Sequence, residues 1–325
     1  MTYFKPRFIR STFLIISTLL LFISCKKEIP AEGFVEVEGG KIWYRIIGEG
    51  EATPLLILHG GPGSRSCSMI PGYSLLAKDR KVIFYDQLGS GSSDRPSDTS
   101  LWRKERFVNE IELLREELQL DSLHILGQSW GGALLSEYLI TREPEGVKSV
   151  IFSSPLLSTE DWMEDAKLLL SQMPEPIQDT IYKHEALKDY SAPVYLAAVD
   201  SFYSKHLSRK SWPYEPNPEC ENVGDFNSEV YNYMWGPTEF TATGTLLDFD
   251  RTKDLDKIDE PILFLAGEYD EARPETMYEY QKLAKNARVK IIENSGHSTM
   301  IDQPEQVAEA IGSFLNRVEN REGAE

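Results

Sequence analysis

The stretch Gly127-Gln128-Ser129-Trp130-Gly131-Gly132 decides the architecture of this chain. It follows the apolar run Leu123-His124-Ile125-Leu126 and precedes residues 133–139, for which we predict a helix. A serine framed by glycines between a buried strand and a helix indicates a sharp turn that presents the hydroxyl as a nucleophile. Gly127 and Gly131 are needed where a Cβ would collide with neighbouring chain. The alternative is a glycine-rich turn with a surface serine.

A serine nucleophile needs a base, and the base needs an orienting carboxylate. Asp270 follows the predicted strand 262–266, and His297 follows a strand that ends at Ile292. We predict Asp270 as the acid and His297 as the base, with Glu268 and Glu271 as alternative acids. The other four histidines fall in a glycine loop, a strand and a helical segment: His59, His124, His184 and His206.

Acyl transfer at such a serine also needs donors for the oxyanion. One donor is the backbone N–H that follows the nucleophile, which belongs to Trp130. The second comes from the loop after the third strand, His59-Gly60-Gly61-Pro62-Gly63, and Gly61 is our choice. The alternative for this loop is a tight glycine turn without a catalytic role.

Buried apolar strands alternate with helical segments along most of the chain, which predicts a mainly parallel sheet with helices on both faces. Residues 33–155 and 251–318 are assigned to this α/β core. Between them, residues 156–250 show apolar residues at helical spacing and no buried strand, so we predict an inserted helical cap.

The first residues differ from the rest. Three basic residues precede an uncharged run from Ser11 to Ser24, which predicts a signal peptide over residues 1–24. The run ends at Leu21-Phe22-Ile23-Ser24-Cys25, which resembles a bacterial lipobox. We therefore predict an exported lipoprotein held at a membrane surface by a lipid on Cys25. An uncleaved anchor and simple secretion are the alternatives.

Three further features limit the partners. The net charge of −18 over 325 residues argues against a nucleic-acid partner and is compatible with a positively charged substrate. The motifs imply neither a metal nor an organic cofactor. Cys67 and Cys220 can pair in an oxidising compartment, and separate buried thiols are the alternative.

Several motifs together resemble the proline iminopeptidase family of α/β-hydrolases. They are His59-Gly60-Gly61-Pro62-Gly63, Tyr85-Asp86-Gln87 with the glycines that follow, and the stretch around Ser129. Met234-Trp235-Gly236-Pro237-Thr238-Glu239-Phe240 and Gly267-Glu268-Tyr269-Asp270-Glu271 resemble the tricorn-interacting-factor branch, which includes amino-acid amidases.

This resemblance, over residues 33–315, implies an α/β-hydrolase fold with a mostly parallel eight-stranded sheet and an inserted helical cap. It also implies that Glu239 and Glu271 hold the free α-amino group of the substrate. Carboxylates suit that role because charge-assisted hydrogen bonds can fix an ammonium. The alternative for each is a solvated or capping carboxylate.

The sequence therefore predicts a serine aminopeptidase that releases N-terminal proline, or another small or apolar residue, from a peptide or aminoacyl amide. An amino-acid amidase or carboxylesterase with the same triad is the first alternative, and a non-catalytic binding protein is the second. The aromatics Tyr233, Trp235 and Phe240 can wall the side-chain pocket, although a core role is the simpler expectation for them.

Overall fold

The computed structural model describes residues 1–3 and 29–322, with side chains up to residue 320. The chain divides into two units, Met1–Pro30 and Ala31–Glu325. Cys25 and almost all of the predicted signal peptide lie outside the described residues. No helix in the described ranges is long and apolar enough to cross a bilayer. The sheet and the helices belong to the second unit.

The described residues form one eight-stranded sheet. Its strands are β1 (Glu32–Val37), β2 (Gly40–Ile47), β3 (Ala52–Leu58), β4 (Arg80–Tyr85), β5 (Leu123–Gln128), β6 (Val147–Ser153), β7 (Ile262–Gly267) and β8 (Ala287–Ile292). The order is β1-β2-β4-β3-β5-β6-β7-β8. The first two strands form an antiparallel hairpin, β2 also pairs antiparallel with β4, and every other pair is parallel.

Ten α-helices are described: α1 (Ile70–Tyr73), α2 (Lys104–Glu117), α3 (Trp130–Arg142), α4 (Thr159–Ser171), α5 (Glu175–Leu187), α6 (Pro193–His206), α7 (Ser228–Met234), α8 (Pro274–Leu283), α9 (Thr299–Asp302) and α10 (Pro304–Glu322). The last helix continues beyond Val318, where the predicted α/β core ends. Glu319 accepts a hydrogen bond from buried Arg80 at 2.9 Å, which holds this turn against the sheet.

Helices cover both faces of the sheet. Side chains alternate between the two faces along each strand, so consecutive residues show what packs on each face. Leu263 and Leu265 belong to one core cluster with residues of α1 and α10. Phe264, between them, contacts Tyr280 of α8 on the other face. Gly127 of β5 and Phe264 both pair with Phe152 of β6, so they belong to the same face of the sheet. Gly127 lies against the first turn of α3, which therefore covers this face together with α8. The predicted α/β core, a mainly parallel sheet with helices on both faces, is confirmed.

The segment between β6 and β7 is helical. It contains α4 to α7 and, among the described residues, no strand beyond two isolated bridges. Its helices have an apolar cluster of their own, centred on Phe202 and Ile181. The division of the chain into a core and a cap at residues 156 and 250 stays a prediction.

Candidate active site

Ser129 lies in a strained turn between β5 and α3. Its backbone has φ 56° and ψ −122°, a conformation that side-chain-bearing residues rarely adopt. A Cβ on Gly127 would lie 2.3 Å from the carbonyl oxygen of Gly131, and one on Gly131 would lie 2.2 Å from that of Leu58. The predicted need for both glycines is therefore confirmed. Gly132 is a third such position, since its Cβ would lie 2.6 Å from Pro155.

Asp270 and His297 form a buried pair. Nδ1 of His297 donates to Oδ1 of Asp270 at 2.9 Å, which leaves Nε2 as the proton acceptor. Glu271 is farther, with its Oε1 at 3.8 Å from the same nitrogen. Exposed Glu268 instead accepts a hydrogen bond from the backbone of Asn294 at 3.0 Å. The geometry thus favours Asp270 over both alternative acids.

The carboxylate of Asp270 is held rigidly. The backbone N–H groups of Gly267 and Ala272 donate to its two oxygens at 3.0 and 2.9 Å. The hydroxyl of Ser154 donates to Oδ2 at 2.6 Å. Sequence reasoning missed Ser154, although its place directly after the carboxyl end of β6, beside the strand that carries Asp270, is a usable signal.

His297 has an unusual electrostatic environment. Burial lowers the pKa of its imidazole, but attraction to Asp270 and Glu271, the hydrogen bond to Asp270 and attraction to Glu239 outweigh burial and raise the pKa to about 9. Trp162 of α4 packs edge-on against the ring at 5.5 Å. We did not predict this contact, which limits solvent access to the pair.

Five of the predicted site residues line one cavity of about 360 Å³. Ser129, His297, Gly61, Glu239 and Glu271 all line it. Asp270 lies behind His297, with 1% of its surface exposed. The cavity size is within the range of sites for small ligands, roughly 300 to 1,000 Å³.

Both predicted oxyanion donors lie beside Ser129. Trp130 is the first residue of α3, so its backbone N–H has no acceptor within the helix. The loop from β3 approaches closely, because a Cβ on Gly60 would lie 3.0 Å from Cβ of Ser129. Gly61 has φ 109°, which favours glycine.

Gln87 connects these two donor segments. Its Nε2 donates to the carbonyl oxygen of His59 at 3.0 Å, and its Oε1 accepts from the indole of Trp130 at 2.8 Å. Its backbone N–H donates to Nε2 of His59 at 3.0 Å, so the proton of that imidazole resides on Nδ1, close to the carbonyl of Gly60. Burial lowers the pKa of His59, which keeps it neutral in this structural role.

Glu239 and Glu271 give the cavity a strongly acidic wall. Burial, followed by repulsion from Glu239, raises the pKa of the Glu271 carboxyl well above its usual range. Burial also raises the pKa of Glu239, against a short hydrogen bond from Tyr231 and attraction to His297. In the described part of the chain, no lysine or arginine pairs with either carboxylate. Two buried carboxylates in one cavity are stabilised by a bound cation.

The cavity is lined by aromatics other than Tyr233, Trp235 and Phe240, for which a core role was the simpler expectation. Tyr233, Trp235 and Phe240 contact Trp102, Trp162 and Phe202 rather than the cavity. The aromatics that line the cavity are Tyr203, Trp212, Tyr214, Phe226 and Tyr231. Helical spacing alone does not show which aromatic side chains of the segment between β6 and β7 point toward Ser129.

Two other predictions concern cysteines and metals. Cys67 and Cys220 form a disulfide with a Cα–Cα distance of 5.2 Å across 153 residues, so they are paired and not separate thiols. Within residues 1–3 and 29–322, no group of three or more potential ligands is placed to hold a metal ion.

Comparisons with known proteins agree with this geometry. A family model described as the alpha/beta hydrolase fold matches residues 53–304. The proline iminopeptidase of Heyndrickxia coagulans is 44% identical over 288 residues, 88% of this chain and 99% of that protein. The proline iminopeptidase of Clostridium botulinum is 36% identical over 293 residues, 88% of this chain and 98% of that protein.

A solved structure is also similar. The crystal structure of proline iminopeptidase from Mycobacterium smegmatis matches with a TM-score of 0.80 at 30% identity, covering 89% of this chain and 99% of that one. The fold and the strained serine turn define an α/β-hydrolase. The sequence relatives narrow the class: the chain belongs to the proline iminopeptidase family. Its assignment to the tricorn-interacting-factor branch stays a prediction.

Proposed function

We propose that this protein is a serine aminopeptidase that releases N-terminal proline from peptides through an acyl-enzyme. One observation carries the proposal: the cavity that contains Ser129 and His297 also presents the carboxylates of Glu239 and Glu271. A buried carboxylate pair suits the ammonium of a chain N-terminus, and hydrogen bonds to charged groups contribute about 1.5 to 3 kcal/mol each. The names of the sequence relatives support the same activity.

In acylation, Oγ of Ser129 attacks the carbonyl carbon of the first residue while Nε2 of His297 takes the hydroxyl proton. Asp270 holds the imidazole in the required tautomer. The negative charge that develops on the carbonyl oxygen is stabilised by the N–H groups of Gly61 and Trp130. His297 then gives its proton to the leaving amine, and the C–N bond breaks.

Deacylation uses the same groups. His297 takes a proton from a water molecule, which attacks the ester carbonyl of the acyl-enzyme. The second tetrahedral intermediate collapses when His297 returns the proton to Oγ of Ser129, and free proline leaves. Glu239 and Glu271 hold the amino group through both steps, which keeps the carbonyl in place.

The cavity supports a preference for a small first residue. Its aromatic lining, including Tyr203, Phe226 and Tyr231, offers apolar faces to a pyrrolidine ring. Other small or apolar N-terminal residues fit the same description. An amino-acid amidase would use the same ammonium site with a smaller leaving group, whereas a carboxylesterase would not need the two carboxylates.

A panel of aminoacyl anilides and short peptides tests the proposal. We expect free proline as the product, complete loss of turnover in Ser129→Ala, and a KM raised at least roughly tenfold in Glu239→Gln, because one ammonium hydrogen bond is weakened. Turnover that persists in Ser129→Ala, or resistance of the purified protein to a fluorophosphonate, would contradict it.

We propose further that the protein is exported and carries a lipid on Cys25, as the sequence predicts. The disulfide between Cys67 and Cys220 supports an oxidising compartment, where such bonds persist. Cys25→Ser should abolish acylation and release the protein from membrane fractions. Unchanged membrane association of this variant would contradict the lipid anchor.

A further inference from the structure

A second cavity of about 540 Å³ adjoins the catalytic cavity. The residues that line both are Ser68, Tyr214, Met300 and Ile301. Glu239, Glu271 and Ser129 line only the catalytic cavity. The two cavities are therefore adjacent, and the second lies beyond the residues proposed to hold the amino end and the scissile carbonyl of a substrate.

We propose that the second cavity binds the leaving part of the peptide, that is, the residues after the scissile bond. This inference rests on the proposed aminopeptidase activity, which fixes the direction of the substrate. With the ammonium held by Glu239 and Glu271 and the first carbonyl at Ser129, the rest of the substrate peptide must extend out of the catalytic cavity on another side. The proposal places this exit at the shared residues, since Met300 lies three residues after His297 and Ser68 lies on the loop that follows Gly61.

The second cavity differs from the first in charge. Its wall contains two cations and two carboxylates: Arg65, Lys210, Glu215 and Glu305. Arg65 is already bound to Asp225 at 3.3 Å and to the carbonyl of Gly224 at 3.2 Å. A wall of balanced charge suits the neutral backbone of a peptide, whereas the acidic wall of the catalytic cavity suits its ammonium.

Most of the remaining lining is apolar or rigid. It includes Leu75 and the prolines Pro71, Pro216, Pro218 and Pro304. Prolines lose little conformational freedom when a ligand binds, because their φ angles are already restricted. The cavity is therefore suited to an extended peptide of two or three residues with small or apolar side chains.

The disulfide fixes the shape of this cavity. Cys220 lines its wall, and Cys67 precedes Ser68 at the junction of the two cavities. Asn217, also in the wall, donates a hydrogen bond to the carbonyl of Cys67 at 3.2 Å. The helical segment is thus tied covalently to the loop that carries Gly61, so the cavity keeps its walls in the absence of substrate.

Substrates of increasing length test the inference. Prolyl anilide, Pro-Ala and Pro-Ala-Ala-Ala share the first residue but extend differently into the second cavity. For the unaltered enzyme we expect kcat/KM to be roughly tenfold higher for the tetrapeptide than for the dipeptide, equivalent to about 1.4 kcal/mol of added transition-state binding.

Leu75→Trp fills the second cavity without touching the first. Leu75 is 37% exposed, and Leu113 on α2, which lines neither cavity, has the same exposure and provides the matched control Leu113→Trp. Leu75→Trp should remove the higher kcat/KM of the tetrapeptide relative to the dipeptide. It should leave the turnover of prolyl anilide within about twofold, and this turnover also reports correct folding. Glu305→Trp, on another part of the wall, should act in the same way.

Several results overturn the inference. An unaltered enzyme that cleaves all three substrates equally, or tetrapeptide turnover unaffected by both tryptophans, removes the second cavity from substrate binding while leaving the aminopeptidase proposal intact. Equal losses on prolyl anilide and tetrapeptide in both variants would also contradict it. Failure to release proline from any substrate would overturn the proposed function and this inference together.

Discussion

Replacement of Glu271 by glutamine should leave a larger fraction of the catalytic histidine unprotonated near neutral pH in the free enzyme. The carboxylate of Glu271 is among the groups that raise the pKa of His297 to about 9. Protonated His297 cannot accept the proton of Ser129, so the reactivity of the serine should be low below this pKa and rise as the pH passes through it. A neutral glutamine removes part of that attraction and shifts the rise to lower pH.

The magnitude follows from the geometry. Oε1 of Glu271 lies 3.8 Å from Nδ1 of His297, and both side chains are almost fully buried. Two unit charges about 4 Å apart interact by about 1 kcal/mol in bulk water and about 4 kcal/mol at an effective dielectric constant of about 20. Since 1.36 kcal/mol corresponds to one pKa unit, a fully ionised Glu271 would shift the midpoint by about one to three pH units, and its own raised pKa places the expected fall at the lower end of this range.

Fluorophosphonate labelling of Ser129 measures this midpoint without a substrate amine in the cavity. The labelling rate constant of the unaltered enzyme should rise through about pH 9, and Glu271→Gln should label about tenfold faster near neutral pH for each unit by which the pKa falls. Glu268→Gln is the matched control, because that exposed carboxylate lies in the same loop without contacting His297. A midpoint that is unchanged or higher in Glu271→Gln would refute the argument.

Three further substitutions test other parts of the site. Asp270→Asn should lower kcat by roughly 10³ to 10⁴, because an amide no longer fixes the tautomer of His297; steady-state kinetics with a circular dichroism check will show this, and a loss under tenfold would contradict the role. Gln87→Leu should lower kcat roughly tenfold with little change in KM, since leucine cannot make the two hydrogen bonds that connect the donor segments. A rise in KM without a change in kcat would instead indicate a role of Gln87 in substrate binding. Gly127→Ala should lower the free energy of unfolding in urea by roughly 1 to 3 kcal/mol, because its Cβ would lie 2.3 Å from a carbonyl oxygen, and unchanged stability would mean that the turn relaxes at no cost.

The sheet and the reactive turn could be predicted from sequence because their signals are local. Buried strands leave short, mainly apolar runs such as Leu123 to Leu126, which begins β5. The glycines around Ser129 mark positions where a side chain has no room. Asp270 and His297 follow strands directly, so the topology of a parallel sheet brings them to one edge.

Other features depend on long-range packing, which leaves little local signal. The pairing of Cys67 with Cys220 joins residues 153 positions apart, and their spacing is compatible with both alternatives. Tyr231 lines the cavity whereas Tyr233, two residues later on the same short helix, packs on Trp102. Only the rotation of α7 about its own axis distinguishes these two tyrosines.

The central claim is that Ser129 acts on substrates whose free amino group is held by two carboxylates. The ratio of kcat/KM for prolyl anilide to that for N-acetylprolyl anilide tests it most directly, with a simple ester as a third substrate. We expect the acetylated anilide to be cleaved at least roughly 100-fold more slowly, since it leaves Glu239 and Glu271 without a cation. Equal turnover of the free and the acetylated anilide would contradict the account.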